Sequence, residues 1–200
     1  MKTRRALRIV PLTDALLNAV VQIHRSGLGY TLNSRLGSGH MAFLYKSMER
    51  DETCYVGVAL VDDQPVGVVS GCIDAGGFTT NVLRNMSKAG LAGIGCKMLL
   101  HPKLLWSWWQ GIVIAAPVEV DSCEVRAVLT AIAVDGQIQG KGIGRALVQA
   151  FEDFLRRNGV AAYRLDTRIQ NEQASRFYRS LGFHEATRRA DSIIFVRQLS

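Results

Sequence analysis

The chain has 200 residues, 24 Lys and Arg against 17 Asp and Glu, a formal charge of +7 and 48% hydrophobic residues. That length and apolar content suit one folded domain over residues 1–200, and they exclude a disordered chain, a collagen-like repeat and a small disulfide scaffold. The basic residues are scattered rather than gathered in a block, so the surplus reads as a solvated positive surface and no nucleic-acid partner is expected. Cys54, Cys72, Cys96 and Cys123 form no paired motif and His is scarce near them, so reduced thiols, no metal site and a cytoplasmic location are expected. The basic start is followed by Arg8, Pro11, Asp14 and Asn18, which leave no unbroken apolar run for a secretory leader.

In chain order, Leu7 to Leu12 reads as a short edge strand, with Pro11 near its end. A helix begins at Asp14, a candidate N-cap; Leu16, Leu17, Val20, Val21 and Ile23 or His24 keep helical spacing, and Gly27 is the expected stop. The break at Gly37-Ser38-Gly39 precedes a second helix, Met41 to Met48. Cys54 to Val61 and Val66 to Ile73 are β-branched runs joined by Asp62-Asp63-Gln64-Pro65, the chemistry of a hairpin. Residues 76–118 break this rhythm and are expected to form a partly helical insertion between strands 3 and 4. Its apolar run is too short to cross a bilayer, and Trp106, Trp108 and Trp109 suit a buried or dimer-burying lid. The last third alternates: a long strand from Glu124 to Val134, a helix from Gly142 to Arg157, a strand from Ala161 to Ile169, a helix from Asn171 to Leu181, and two strands within Phe183 to Leu199. This order predicts an α/β fold with parallel strands in a mixed, twisted sheet and helices on both faces.

The segment between the long strand and its helix is the most informative. Small residues from Gln139 through Gly140, Lys141, Gly142, Ile143 and Gly144 to Arg145 leave backbone N–H groups open at a helix N-terminus, which favours a phosphate. The spacing fails the dinucleotide fingerprint, because Arg145 and Leu147 stand where the third glycine is needed. It also fails the P-loop, because Gly142 follows Lys141.

It does fit Q-x-x-G-x-G, at Gln139, Gly142 and Gly144. Farther on, Asn171-x-x-Ala174-x-x-Phe177-Tyr178-x-x-x-Gly182-Phe183 fits N-x-x-A-x-x-F-Y-x-x-x-G-F. On these two motifs, in this order, the chain resembles the GNAT superfamily of acyl-CoA-dependent N-acetyltransferases. The resemblance is sharp over residues 124–199, looser over 7–74 and absent from most of the insertion. It implies a single GNAT-like domain and acetyl transfer from acetyl-CoA, the co-substrate, to a primary amine by direct attack in a ternary complex, with no metal. In that picture pantetheine pairs with strand groups around Ile132, Ala133 and Val134, the pyrophosphate meets Gln139 to Gly144, Arg145 adds charge, Asn171 reaches the coenzyme arm, and Tyr178 protonates the departing sulfur.

Many relatives carry a base on the long strand six residues before the valine matched by Val134, but Val128 stands there. Glu119, Glu124, Asp121, His40 and His184 remain open as bases. The tryptophans point to a small-molecule amine acceptor with a sugar or apolar part, and the sequence leaves a homodimer open. Two other functions stay open: a non-catalytic acyl-CoA sensor, and a membrane-surface or assembly protein using the tryptophans.

Overall fold

The computed structural model describes residues 6–29, 31–85, 118–120 and 123–199. The chain order is β1 (Leu7–Pro11), α1 (Asp14–Leu28), α2 (Leu32–Leu36), α3 (Ser38–Arg50), β2 (Cys54–Val61), β3 (Gln64–Cys72), α4 (Ala75–Asn85), β4 (Val118–Val120), β5 (Cys123–Val125), β6 (Ala127–Val134), α5 (Ile143–Arg157), β7 (Ala162–Arg168), α6 (Glu172–Ser180), β8 (His184–Arg188) and β9 (Ser192–Gln198). Seven strands form one sheet in the order β1-β2-β3-β6-β7-β9-β8, and β4 pairs with β5 in a separate ribbon. Within the seven-stranded sheet only β6 and β7 run parallel. The fold is therefore the mixed α/β architecture expected, with helices on both faces.

Each face is covered for a sequence reason. Along α5, Ile143, Leu147, Val148, Phe151 and Leu155 recur at three- and four-residue steps and are buried, joining Leu129, Tyr163, Tyr178 and Phe195 in one core. On the opposite face Val20 and Val21 of α1 and Met41, Tyr45 and Met48 of α3 pack on Val58, Val68 and Ala133. The β2–β3 hairpin turns on Asp62 and Asp63, both at positive φ (52° and 62°), the left-handed pair that matches strand twist. Cys54 and Cys72, paired across that hairpin, are buried free thiols.

Two expectations about elements change, and one element is new. Gly27 lies inside α1, which runs on to Leu28; a Cβ on Gly27 would come within 3.2 Å of the Ala133 Cβ, so the glycine serves close helix-to-strand approach. The strand expected from Glu124 to Val134 is two strands, β5 on the ribbon and β6 in the main sheet, separated at Arg126. Leu32–Leu36 forms a short helix, with the Thr31 side chain accepting from the Ser34 N–H. Within the expected insertion α4 is helical, while residues 86–117, with all three tryptophans, lie outside the described residues.

Glu152 anchors the core beneath α5. It is 1% exposed, accepts from the Tyr163 hydroxyl at 2.7 Å and lies 2.9 Å from Arg197 Nε. Burial first, then the Glu152 bond, pushes the Tyr163 phenol well above its ordinary pKa. Glu152→Leu leaves that hydroxyl and Arg197 without their carboxylate, so a loss of about 3 kcal/mol in urea unfolding is expected; an unchanged midpoint would contradict this role.

Candidate active site

The site starts from an interruption in the sheet. Strands β6 and β7 pair only at Ala127 with Tyr163 and Val128 with Arg164. Beyond these rungs β6 continues to Val134 against β3, and β7 continues to Arg168 against β9. The two strands thus form a fork, and alternate residues of Leu129 to Val134 present backbone N–H and C=O groups with no strand partner on that side. Ile132 is partly buried against the α5-side core and Ala133 is buried under α1; the Asp135 N–H bond to the Val66 carbonyl sets the alternation, so Ile132 turns its backbone groups to the fork while Ala133 bonds Val68 of β3.

At the open end of β6 the chain turns through Asp135, which accepts from the Gln137 N–H at 3.0 Å, into the glycine loop. Gly140 and Gly142 have φ of +81° and +79°, a region L side chains enter only at a cost of about 1–2 kcal/mol. This conformation turns the loop into α5, whose first-turn N–H groups, at Ile143, Gly144 and Arg145, have no intrahelical acceptor. Ile143 itself is core, while Lys141 and Arg145 are exposed. A Cβ on Gly144 would sit 3.1 Å from Phe177 Cζ, so glycine there lets α6 close on the loop.

Several expected ligands are tied to the protein. The Gln139 amide donates to the Val134 carbonyl at 3.2 Å and accepts from Gln173 at 3.4 Å. Arg145 Nη2 donates to the Ser180 carbonyl at 3.4 Å. Asn171 Oδ1 accepts from the Ala174 N–H at 3.1 Å and caps α6. Tyr178 is buried, its ring centroid 5.4, 5.6 and 6.0 Å from those of Phe177, Phe183 and Phe195. Loop, fork and α6 are thereby assembled into one unit around the expected coenzyme residues.

The bases left open by sequence are less well placed. Glu124 is exposed and bound to Arg126 at 2.8 Å. His184 is exposed on β8, two strands beyond β7. His40 lies on α3 with Nε2 3.4 Å from Asn33 Oδ1. Asp121 and the Glu119 side chain lie outside the described residues.

Two groups given no functional role from the sequence stand out, one largely buried and one buried. Asp166 on β7 has a side chain 12% exposed, and burial raises its pKa to about 6 against the opposing Ser192 bond and Arg189 charge. His24 on α1 has Nδ1 2.7 Å from the Tyr45 hydroxyl, and burial lowers its pKa from 6.5 to about 4. The signal for Asp166 was a lone carboxylate inside the strand Ala162 to Arg168; that for His24 was its place on the apolar stripe of α1.

The His24 shift has a signed consequence. Between pH 6.5 and 4 the unfolded chain binds the proton that folded His24 refuses, so stability falls with pH across that window, by about 3 kcal/mol at pH 4. Asp166, with its raised pKa, acts in the opposite direction between 3.8 and about 6. Comparing wild type with His24→Asn, which keeps a partner for Tyr45, isolates the first effect: the variant should gain about 3 kcal/mol relative to wild type between pH 7 and 4. Parallel stability curves would contradict it.

A parallel pair that forks beside a glycine-lined helix start has the shape and the open N–H groups that suit an extended, phosphate-bearing ligand. The family model described as Acetyltransferase (GNAT) family matches residues 17–183, and the chain belongs to that family. The [ribosomal protein bS18]-alanine N-acetyltransferase of Escherichia coli K12 is 48% identical over 61 residues, 30% of this chain and 41% of that protein. The chain therefore spans about two-fifths of the curated relatives it matches. Among solved structures, the ribosomal-protein-S18-alanine N-acetyltransferase from Escherichia coli superposes with a TM-score of 0.61 at 20% identity, covering 98% of this chain and 95% of that one. The PaiA N-acetyltransferase from Thermoplasma acidophilum, in complex with coenzyme A, superposes at 0.58 with 14% identity, covering 97% and 99%. Among the described residues no group of three His, Cys, Asp or Glu side chains could hold a metal ion, and no helix is long and apolar enough to cross a membrane.

Proposed function

We propose that this chain acetylates a primary amine, with acetyl-CoA and the acceptor bound together and the amine attacking the thioester directly. The observation that carries the reading is the fork: the edge of β6 around Ile132, Ala133 and Val134 has no strand on its β7 side, Ile132 turning its backbone groups to the gap, beside a loop that leads into open helix N–H groups. A pantetheine arm has peptide-like amides that suit such an edge. Pyrophosphate suits the N–H groups from Gly140 to Gly144, with Lys141 and Arg145 supplying charge. Bound acetyl-CoA supplies the acyl group in activated form. Tyr178, on α6, donates its phenolic proton to the departing sulfur, which a neutral phenol can do at pH 7. Gln139 and Asn171 hold the loop and α6 in place from behind, and Asn171 retains its Nδ2 for the coenzyme arm.

For the acceptor we favour the α-amine of a polypeptide over the small-molecule amine expected from the tryptophans, because the curated relatives are named for an alanine of a ribosomal protein. The test follows coenzyme thiol release and product mass with acetyl-CoA and three acceptors: a peptide beginning with alanine, the same peptide N-blocked, and an amino sugar. Acetylation of the free peptide alone supports the reading. Acetylation of the amino sugar alone restores the small-molecule acceptor. Coenzyme binding without turnover of any amine makes the protein a sensor.

A further inference from the structure

Two residues beyond the last rung of the fork, each strand carries an unusual polar group. On β6 it is Thr130, the extra residue at the irregularity between Ser70 and Gly71 of the partner strand. On β7 it is Asp166; continuing the register of Val128 with Arg164 by two residues sets Thr130 opposite Asp166. Thr130 lies four residue steps before Val134, about 13 Å at about 3.3 Å per step, so an arm running from the glycine loop along β6 points to this throat.

Asp166 is built as a poised base. Ser192 Oγ donates to its Oδ2 at 3.3 Å and Arg189 Nη1 lies 4.0 Å from the same oxygen, so both contacts fall on Oδ2. The charged groups acting on it are Arg164 on its own strand and Arg189 from the turn between β8 and β9, which favour the carboxylate, and Asp191 of the same turn, which disfavours it; burial outweighs the two arginines. Thr130 is held from behind. Its hydroxyl donates to the Ser70 carbonyl at 3.0 Å and lies 2.9 Å from Ser70 Oγ. Ser70 bonds the Tyr45 hydroxyl, which in turn meets His24 Nδ1 at 2.7 Å. Ser70, Tyr45 and His24 are buried, whereas Thr130 is exposed at the fork. This chain of bonds fixes the Thr130 rotamer and leaves a lone pair for a donor arriving from the throat.

We propose that Asp166 and Thr130 form the amine subsite of the acetyl transfer argued above, Thr130 accepting an N–H from the acceptor nitrogen and Asp166 removing its proton. The inference rests on that acetyl-transfer reading. As the nitrogen bonds to the thioester carbonyl carbon, Asp166 Oδ1 takes one N–H proton. The carbon–sulfur bond then breaks, and the sulfur leaves with the Tyr178 proton. Water afterwards carries the proton from Asp166 and restores Tyr178, so one amide and one thiol are formed from one amine and one thioester. The base that Val128 cannot supply is thus provided by the neighbouring strand.

The test uses the full chain, acetyl-CoA and the alanine peptide, with coenzyme affinity measured in parallel by calorimetry. For wild type the acid limb of kcat/KM should fall near pH 6. Asp166→Asn should keep coenzyme affinity within about twofold, lower kcat by about 10²–10³-fold and abolish that limb, while Asp166→Glu regains part of the rate. Thr130→Val should raise KM for the peptide by about tenfold at little cost in kcat. Asp166→Asn turning over at the wild-type rate with an unshifted pH profile overturns the proposal. Wild type that binds no acetyl-CoA, or acetylates nothing, overturns the acetyl-transfer reading before any variant is made.

Discussion

Tyr178→Phe should lower kcat by about 10²–10⁴-fold while leaving acetyl-CoA affinity within about threefold. The phenol is the proton source assigned to the departing thiolate, and Phe removes only that hydroxyl. The ring stays in a packed aromatic set with Phe177, Phe183 and Phe195, so the core should tolerate the change. Steady-state kinetics with a thiol-release readout, beside calorimetry with acetyl-CoA, separates the two effects. A variant with wild-type kcat would make Tyr178 a packing residue alone, and a faster rate with a better leaving thiol would identify sulfur departure as the step affected.

Gly142→Val is expected to weaken acetyl-CoA binding by about 100-fold. A β-branched residue cannot hold φ near +79° without strain, so the loop must refit and withdraw its N–H groups from the phosphates. Losing two such charge-assisted bonds at about 1.5 kcal/mol each corresponds to that factor. The fold should persist, because Gly142 is exposed and a Cβ there meets nothing within 4 Å. Calorimetry together with thermal unfolding checks both halves. Intact binding would show that the loop's shape does not hold the coenzyme.

The fold of the half that carries the two motifs was legible in sequence because its determinants are local. Positive φ at Gly140 and Gly142, the cap at Asn171 and the buried stripe of α5 each follow from a few neighbouring residues. What escaped depends on distant partners. Gly27 looks like a helix stop until Ala133 is seen beneath it. Arg126 looks like one residue of a long strand, yet Cys123–Val125 pairs with Val118–Val120 and leaves the main sheet. Asp166 reads as an ordinary strand polar residue; its burial comes from β9 and the turn before it. The chain from His24 to Thr130 joins two helices and two strands, a juxtaposition no local pattern encodes.

If the fork and the glycine loop together hold acetyl-CoA, amide hydrogen exchange with and without the coenzyme will register it, with NAD and ATP as controls. Slowed exchange is expected over Ala131 to Val134 and Gly140 to Arg145 with acetyl-CoA, much less with ATP or NAD, with little change in the β1–β2 pair. Unchanged exchange at both segments under saturating acetyl-CoA, or equal protection by ATP, would contradict it.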